Sequence, residues 1–235
     1  MSIWMRNIST GKRAEKLRST RMTALWMHCR VMWRQPSRRM IQLKRKALFK
    51  FTPFSHKQKV VLEWWMPESP YADKDGIICD GSIRSGKTTV MSLSFILWAM
   101  ETFDEQNLAL CGKTIQSLRR NVIGQLKRML VSRGYQVEEH RSENYMVVRK
   151  GDKENTFYLF GGKDEGSQDL IQGITLAGVF FDEVALMPES FVNQATGRCS
   201  VEGSKYWFNC NPEGPDHYIK LEWIDKITEK NLIRV

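Results

Sequence analysis

The chain has 235 residues, 42% of them hydrophobic, and a formal net charge of +10. That length carries one substantial core with room for an appendage, and no apolar run approaches the roughly 20 residues that span a bilayer. The five cysteines (Cys29, Cys79, Cys111, Cys199 and Cys210) stand singly with no C-x-x-C pair, which excludes a disulfide framework or zinc site of the usual spacing and fits a reducing compartment.

Charge is unevenly spread. Residues 1–50 hold 14 Lys and Arg against one acid, Glu15, a net of +13, while residues 51–235 have a net of −3. The basic N-terminus lacks an uninterrupted apolar core and does not read as a secretory signal. Leu17, Met22, Leu25, Trp26, Cys29, Met32 and Trp33 follow a loosely helical spacing that breaks at Pro36. Residues 1–50 therefore read as a basic extension, disordered or partly helical. Three roles stay open for it: contact with nucleic acid phosphates, contact with a partner or membrane surface, or a solvated extension preceding a true start at Met40.

From residue 51 the texture is that of a globular domain. "GIICD" (76–80) predicts a strand, and "KTTVMSLSFILWAM" after it predicts a helix buried on every side. "NLALCG" (107–112) predicts a second strand. "TIQSLRRNVIGQLKRMLVSRG" predicts one amphipathic helix, capped by Thr114 and stopped by Gly134, with Ile115, Leu118, Val122, Leu126, Met129 and Leu130 on its apolar face. A hairpin is expected over 145–160, then a strand in "TLAGVFFDE", a helix in "PESFVNQATGRC", a strand in "KYWFNCNP", a short helix in "DHYIKLEWI" and a last strand in "NLIRV". Alternating strands and helices predict an α/β fold with a mainly parallel central sheet. Cys79, Cys111 and Cys210 fall in the apolar runs and read as small core residues.

Gly81-Ser82-Ile83-Arg84-Ser85-Gly86-Lys87-Thr88 matches G-x-x-x-x-G-K-[ST] at every fixed position. The chemistry needs each part. Glycines allow the tight turn, and the loop amides form an anion nest at a helix N-terminus, with Thr89 in its first turn. Lys87 sets a positive charge against the outer phosphates, and Thr88 offers a hydroxyl to Mg²⁺. About 90 residues later, "GVFFDE" ends an apolar strand in two acids. Asp182 at the strand edge can hold the Mg²⁺ shell beside Thr88, and Glu183 can orient and deprotonate a water, which predicts hydrolysis. Asn209 and Asn211, at the end of the next strand, can reach the γ-phosphate or the attacking water, although Asn-Pro also simply favours a turn.

These residues carry a resemblance. "GSIRSGKTT", "TIQSLRRNV", "GGKDEGSQDLIQG", "LAGVFFDEVALMP" and "KYWFNCNPEGPDHYIKLEWI", in this order, resemble the large terminase subunit of tailed bacteriophages, from about Phe54 to the C-terminus and not over residues 1–45. The resemblance implies a P-loop ATPase of the additional-strand, catalytic-glutamate class that uses ATP and Mg²⁺ to move double-stranded DNA into a procapsid. It makes Lys87 and Thr88 Walker A residues, Asp182 the Walker B aspartate and Glu183 the catalytic glutamate. "NCNP" takes the place of the coupling motif, Gln58 that of an adenine-recognising glutamine, and "GGKDEGSQDLIQG" that of a mobile lid. Arg84 inside the loop and Arg198 after the following helix compete for the role of arginine finger, Arg198 across a subunit contact. The implied partners are the portal protein, the small terminase subunit and further copies in a ring, in the host cytoplasm and transiently at the portal vertex, with no membrane. The family's nuclease chemistry needs clustered carboxylates, and nothing after "NPEG" supplies them, so endonuclease activity is not expected of residues 51–235. Two other functions compete: a helicase-like DNA-remodelling ATPase, and a nucleotide-binding assembly module without turnover.

Overall fold

The computed structural model describes residues 49, 51, 53–81, 86–211 and 214–235. Residues 1–48 lie outside the described residues, as do Ser82–Ser85 in the phosphate loop and residues 212–213. Leu48–Val235 forms one compact unit.

The first element, α1 (His56–Glu63), starts at Ser55, whose hydroxyl accepts from the Gln58 backbone while the Gln58 side chain accepts from the Ser55 backbone. This reciprocal pair satisfies two amides that a helix start leaves bare. β1 (Gly76–Asp80) runs into the phosphate loop, and α2 (Lys87–Thr102) leaves it. Residues 90–100 of α2 are buried on every side, as the unbroken apolar run predicts. β2 (Asn107–Gly112) follows.

The single helix expected over 114–134 is divided in three: α3 (Ile115–Leu118), a π-helical stretch (Arg119–Ile123) and α4 (Gly124–Val131). The Gly124 amide reaches back five residues to the Arg119 carbonyl, and the wider turn adds Ile123 to the buried face beside Val122, Leu126, Met129 and Leu130. An antiparallel meander comes next, β3 (Gln136–His140), β4 (Tyr145–Lys150) and β5 (Lys153–Gly161). The hairpin of β4 and β5 was legible. β3 was not, because an outer strand with a polar, half-exposed pattern has no apolar alternation to read. A 3₁₀ stretch (Glu165–Ile171) occupies the lid segment. Then come β6 (Gly178–Phe181), α5 (Glu189–Gly197), β7 (Lys205–Cys210), a π-helical turn (Ile219–Ile224) where a short helix was expected, and β8 (Leu232–Arg234).

The eight strands form one sheet in the order β3-β4-β5-β2-β6-β7-β1-β8. Every pairing is parallel except those of β3 with β4 and β4 with β5. Side chains alternate between the faces. On one, Trp207 packs against Trp64, Trp98 and Phe95 with ring centroids 4.9, 4.8 and 5.2 Å away. On the other, Phe208 stacks on Phe181 at 5.2 Å and meets Trp223 at 4.7 Å. Gly178 belongs to the first face: a Cβ there would come within 2.6 Å of the Trp98 ring. Cys79, Cys111 and Cys210 are buried as expected. Among the described residues, no helix is long and apolar enough to cross a membrane.

Candidate nucleotide site

β7 lies between β1, which carries the phosphate loop, and β6, which carries the acidic pair. The three run parallel, with Cys79 opposite Asn209 and Phe181 opposite Phe208, so their C-terminal ends share one rim of the sheet. A strand inserted at this place defines the additional-strand class, and the rim where parallel strands end is where open α/β sheets bind ligands.

At that rim three predicted residues meet. The Thr88 hydroxyl donates to Asp182 Oδ1 at 3.2 Å, and Asn209 Nδ2 donates to Asp182 Oδ1 at 2.7 Å and to Thr88 Oγ1 at 2.8 Å. Asp182 is 5% exposed and Asn209 likewise 5%. Burial pushes the Asp182 carboxyl above its usual range and the nearby Glu183 charge adds to that, while the hydrogen bonds from Asn209 and Thr88 act the other way. A buried carboxylate beside a threonine hydroxyl suits a hard cation that takes one carboxylate, one hydroxyl and otherwise water or phosphate oxygens. Among the described residues no group of three or more His, Cys, Asp or Glu side chains could hold a metal ion by itself.

Glu183 follows directly and is exposed. Its backbone is left-handed (φ 56°, ψ 51°), which turns the chain out of the strand into a short 3₁₀ turn, Val184–Leu186. Such a conformation in a glutamate costs free energy and is over-represented at functional sites.

Gly81 and Gly86, the two ends of the phosphate loop, have φ of 142° and 83°. Both values are costly for any residue with a Cβ. Ser82, Ile83, Arg84 and Ser85 lie outside the described residues. Lys87 Nζ donates to the Gly81 carbonyl at 2.6 Å and to Asn211 Oδ1 at 3.0 Å. The Walker A lysine thus touches the "NCNP" segment through Asn211, while Asn209 touches Thr88 and Asp182. The Thr89 hydroxyl lies 3.4 Å from Gln125 Oε1 of α4 and so faces a different partner from Thr88.

A cavity of about 350 Å³ adjoins the loop, lined by Lys57, Gln58, Asp80, Gly81, Lys87 and Val235 among others. Gln58 is oriented there by the cap of α1: its Oε1 accepts from the Ser55 amide at 2.9 Å. A Cβ on Gly86 would stand 3.1 Å from Gln58 Nε2, so the glutamine amide flanks the loop.

Arg198 is placed elsewhere. Its carbonyl accepts from the Leu176 amide at 2.9 Å, and the neighbouring Cys199 pairs with Leu176 ahead of β6. Six residues of extended chain separate Leu176 from Asp182, roughly 20 Å. Within one subunit the structure does not bring Arg198 to Lys87, Thr88 and Asp182.

This arrangement was compared with known proteins. Residues 78–234 match the family model described as "Terminase large subunit, T4likevirus-type, N-terminal". The chain belongs to the large terminase subunit family. It is 68% identical to the large terminase of a thermophilic bacteriophage, with a TM-score of 0.76 over 78% of this chain and 45% of that one. Structures of the same thermophilic phage terminase with ADP and with ATP-γ-S match at 65% and 64% identity, with TM-scores of 0.75 and 0.74, over 78% of this chain and 45% and 44% of theirs. The chain therefore spans less than half the length of these terminases. A comparison with the curated proteins gave no match.

Asp80, Arg234, Val235 and Gln125 escaped the reading of the sequence. Arg234 engages Asp80 through Nε at 3.0 Å and through Nη2, across a separation of 154 residues. Only the pairing of β8 with β1 makes them neighbours.

Proposed function

We propose that this chain is an ATP-hydrolysing motor subunit of a phage terminase that translocates double-stranded DNA into a procapsid. The observation that carries the chemistry is the contact of Thr88, Asp182 and Asn209 at the end of the inserted strand, beside Lys87. Thr88 and Asp182 would hold Mg²⁺, which supplies charge neutralisation at the phosphates. The amides of the loop from Gly81 to Gly86 and the Lys87 ammonium bind the phosphates. Glu183 takes the proton of the attacking water. Asn211, which shares Lys87 with the carbonyl of Gly81, senses whether phosphate has drawn the lysine away, and Gln58 faces the base. The nucleotide-bound structures of the thermophilic phage terminase support the choice of nucleotide. Arg84 and Arg198 keep their proposed finger roles, and the location of Arg198 suits only action on a neighbouring subunit.

The DNA part is supported by charge. Residues 106–137 hold Lys113, Arg119, Arg120, Lys127, Arg128 and Arg133 and no acid, although the domain as a whole is slightly acidic. Arg119, Arg120 and Arg141 line a cleft of about 570 Å³ with Gln116 and Asn144, where Glu139 pairs with Arg119 at 3.3 Å, with Arg141 at 3.4 Å and with Lys127 at 2.7 Å and offsets part of the charge. Such a face suits a phosphate backbone. The portal protein, the small terminase subunit and a ring of copies at the portal vertex complete the reading.

The test is steady-state ATP hydrolysis with and without double-stranded DNA, beside the Glu183→Gln variant. We expect turnover stimulated by DNA and a loss of roughly 10²–10⁴-fold in the variant, with ATP binding retained. Binding without turnover by the parent would favour the assembly module instead.

A further inference from the structure

We infer that Arg234 is a positioning residue of the nucleotide site, cancelling the charge of Asp80 at the mouth of the phosphate loop. The inference rests on the reading that this site binds ATP.

Asp80 is the last residue of β1 and directly precedes Gly81. Its side chain is 13% exposed and lines the nucleotide cavity with Gln58, Gly81 and Lys87. A carboxylate in that position opposes the ligand, because a nucleoside triphosphate brings several negative charges to the same few ångströms. Two lysines, Lys57 and Lys87, share the cavity wall, but Lys87 is already directed at Gly81 and Asn211. The group that meets Asp80 is Arg234. Its Nε donates to Oδ1 at 3.0 Å and its Nη2 to Oδ2, so both carboxylate oxygens are taken by one guanidinium fork.

Support for the fold does not by itself account for the pair. β8 is already fixed by its backbone register with β1, Gly76 opposite Leu232 through Ile78 opposite Arg234, and by the burial of Leu232 and Ile233. The Val235 amide adds a bond to the Ile78 carbonyl at 3.0 Å. The Arg234 side chain is 53% exposed and that of Asp80 13%, so the bidentate pair adds some stability, limited by solvent at the guanidinium. Its place decides its role. It sits where the chain enters the phosphate loop, and the next residue, Val235, forms part of the cavity wall. β8 thus belongs to the nucleotide site: it carries the counter-charge that lets an acid precede the loop without repelling the phosphates.

The experiment measures Mg-ATP binding and steady-state hydrolysis by the whole chain and by Arg234→Ala, Arg234→Gln, Asp80→Asn and the Asp80→Asn/Arg234→Ala double variant. Removing the cation bares the carboxylate, so Arg234→Ala and Arg234→Gln should weaken ATP binding on the order of tenfold, with KM rising and kcat changing far less. The loss should shrink as salt is raised. Asp80→Asn leaves Arg234 uncompensated and should tighten binding. The double variant removes both charges and should return most of the affinity lost in Arg234→Ala. Thermal melts without nucleotide check the fold, and Arg234→Gln keeps the stem of the side chain if Arg234→Ala disturbs β8. Unchanged affinity in both Arg234 variants overturns the inference. So does a loss that Asp80→Asn fails to restore, since a displaced β8 would not be repaired by removing a charge. A parent chain that binds no ATP overturns the underlying reading and this inference with it.

Discussion

Asp182 shows what burying a single carboxylate does to stability. Burial raises its carboxyl above the usual aspartate range, so the folded protein holds the proton more firmly than the unfolded chain does. The stability from that preference is present at acid pH, below the ordinary aspartate value. It is lost as pH rises through that value to the raised one, and at neutral pH the ionised group is a net cost. Asp182→Asn keeps an oxygen for Thr88 and Asn209 while removing the buried charge. Without nucleotide, its Tm at pH 7 should equal or exceed that of the parent by a few degrees, and the advantage should vanish near pH 4. The same variant should lose the stabilisation that Mg-ATP confers on the parent, which a melt with saturating Mg-ATP checks. Glu183, one residue on, is exposed in a left-handed turn, so its carboxylate stands free of the core that holds its neighbour.

Among the elements, α1 couples a local helix start to the phosphate loop. Its capping box uses Gln58 both to close the helix and to flank the phosphate loop. Ser55→Ala removes one half of the box and should cost about 1 kcal/mol of stability. The Ser55 backbone amide that holds Gln58 Oε1 survives the substitution, so KM and kcat for ATP should stay close to those of the parent. Paired melting curves and initial-rate kinetics check both outcomes. The π-helical stretch Arg119–Ile123 has a comparable double role. It keeps Val122 and Ile123 buried and delivers Arg119 and Arg120 to the basic cleft. Arg119 is held there by bonds from Nη2 to the Arg141 carbonyl at 2.9 Å and to Asn144 Oδ1 at 3.0 Å.

For the molecule as a whole, the proposed DNA contact has two basic surfaces to draw on. The N-terminal arm carries most of the charge, and the cleft carries charge on a folded scaffold. Deleting residues 1–47 should leave the Tm of the remaining compact unit within a degree or two. If the cleft contacts the backbone, Arg120→Ala/Arg141→Ala should lower the salt slope of DNA binding by about two in the arm-free protein, uniformly across sequences. Basal ATPase should stay as in the parent. An unchanged slope would assign the phosphate contacts to the arm or to another face.

Much of this was legible in the linear chain, because the physics is local. The phosphate loop, the apolar strand ending in Asp182-Glu183 and the wholly apolar helix α2 are written in contiguous residues whose neighbours along the chain set their conformation. Strand order, the π turn and the polar outer strand β3 were not. Each depends on what packs alongside: β7 gains meaning only by lying between β1 and β6, and the extra residue in the π turn is set by which side chains the core admits. The roles of Asn209 and Asn211 stood halfway. Their type and position suggested phosphate contacts, but only the parallel register aims one at Asp182 and the other at Lys87. The Asp80–Arg234 pair lay wholly beyond the sequence, since a contact across 154 residues exists only after β8 has docked on β1. Local chemistry by itself marked the phosphate loop and its acidic strand end; long-range pairing decided which charges stand around them, because electrostatic interaction follows distance in space and not along the chain.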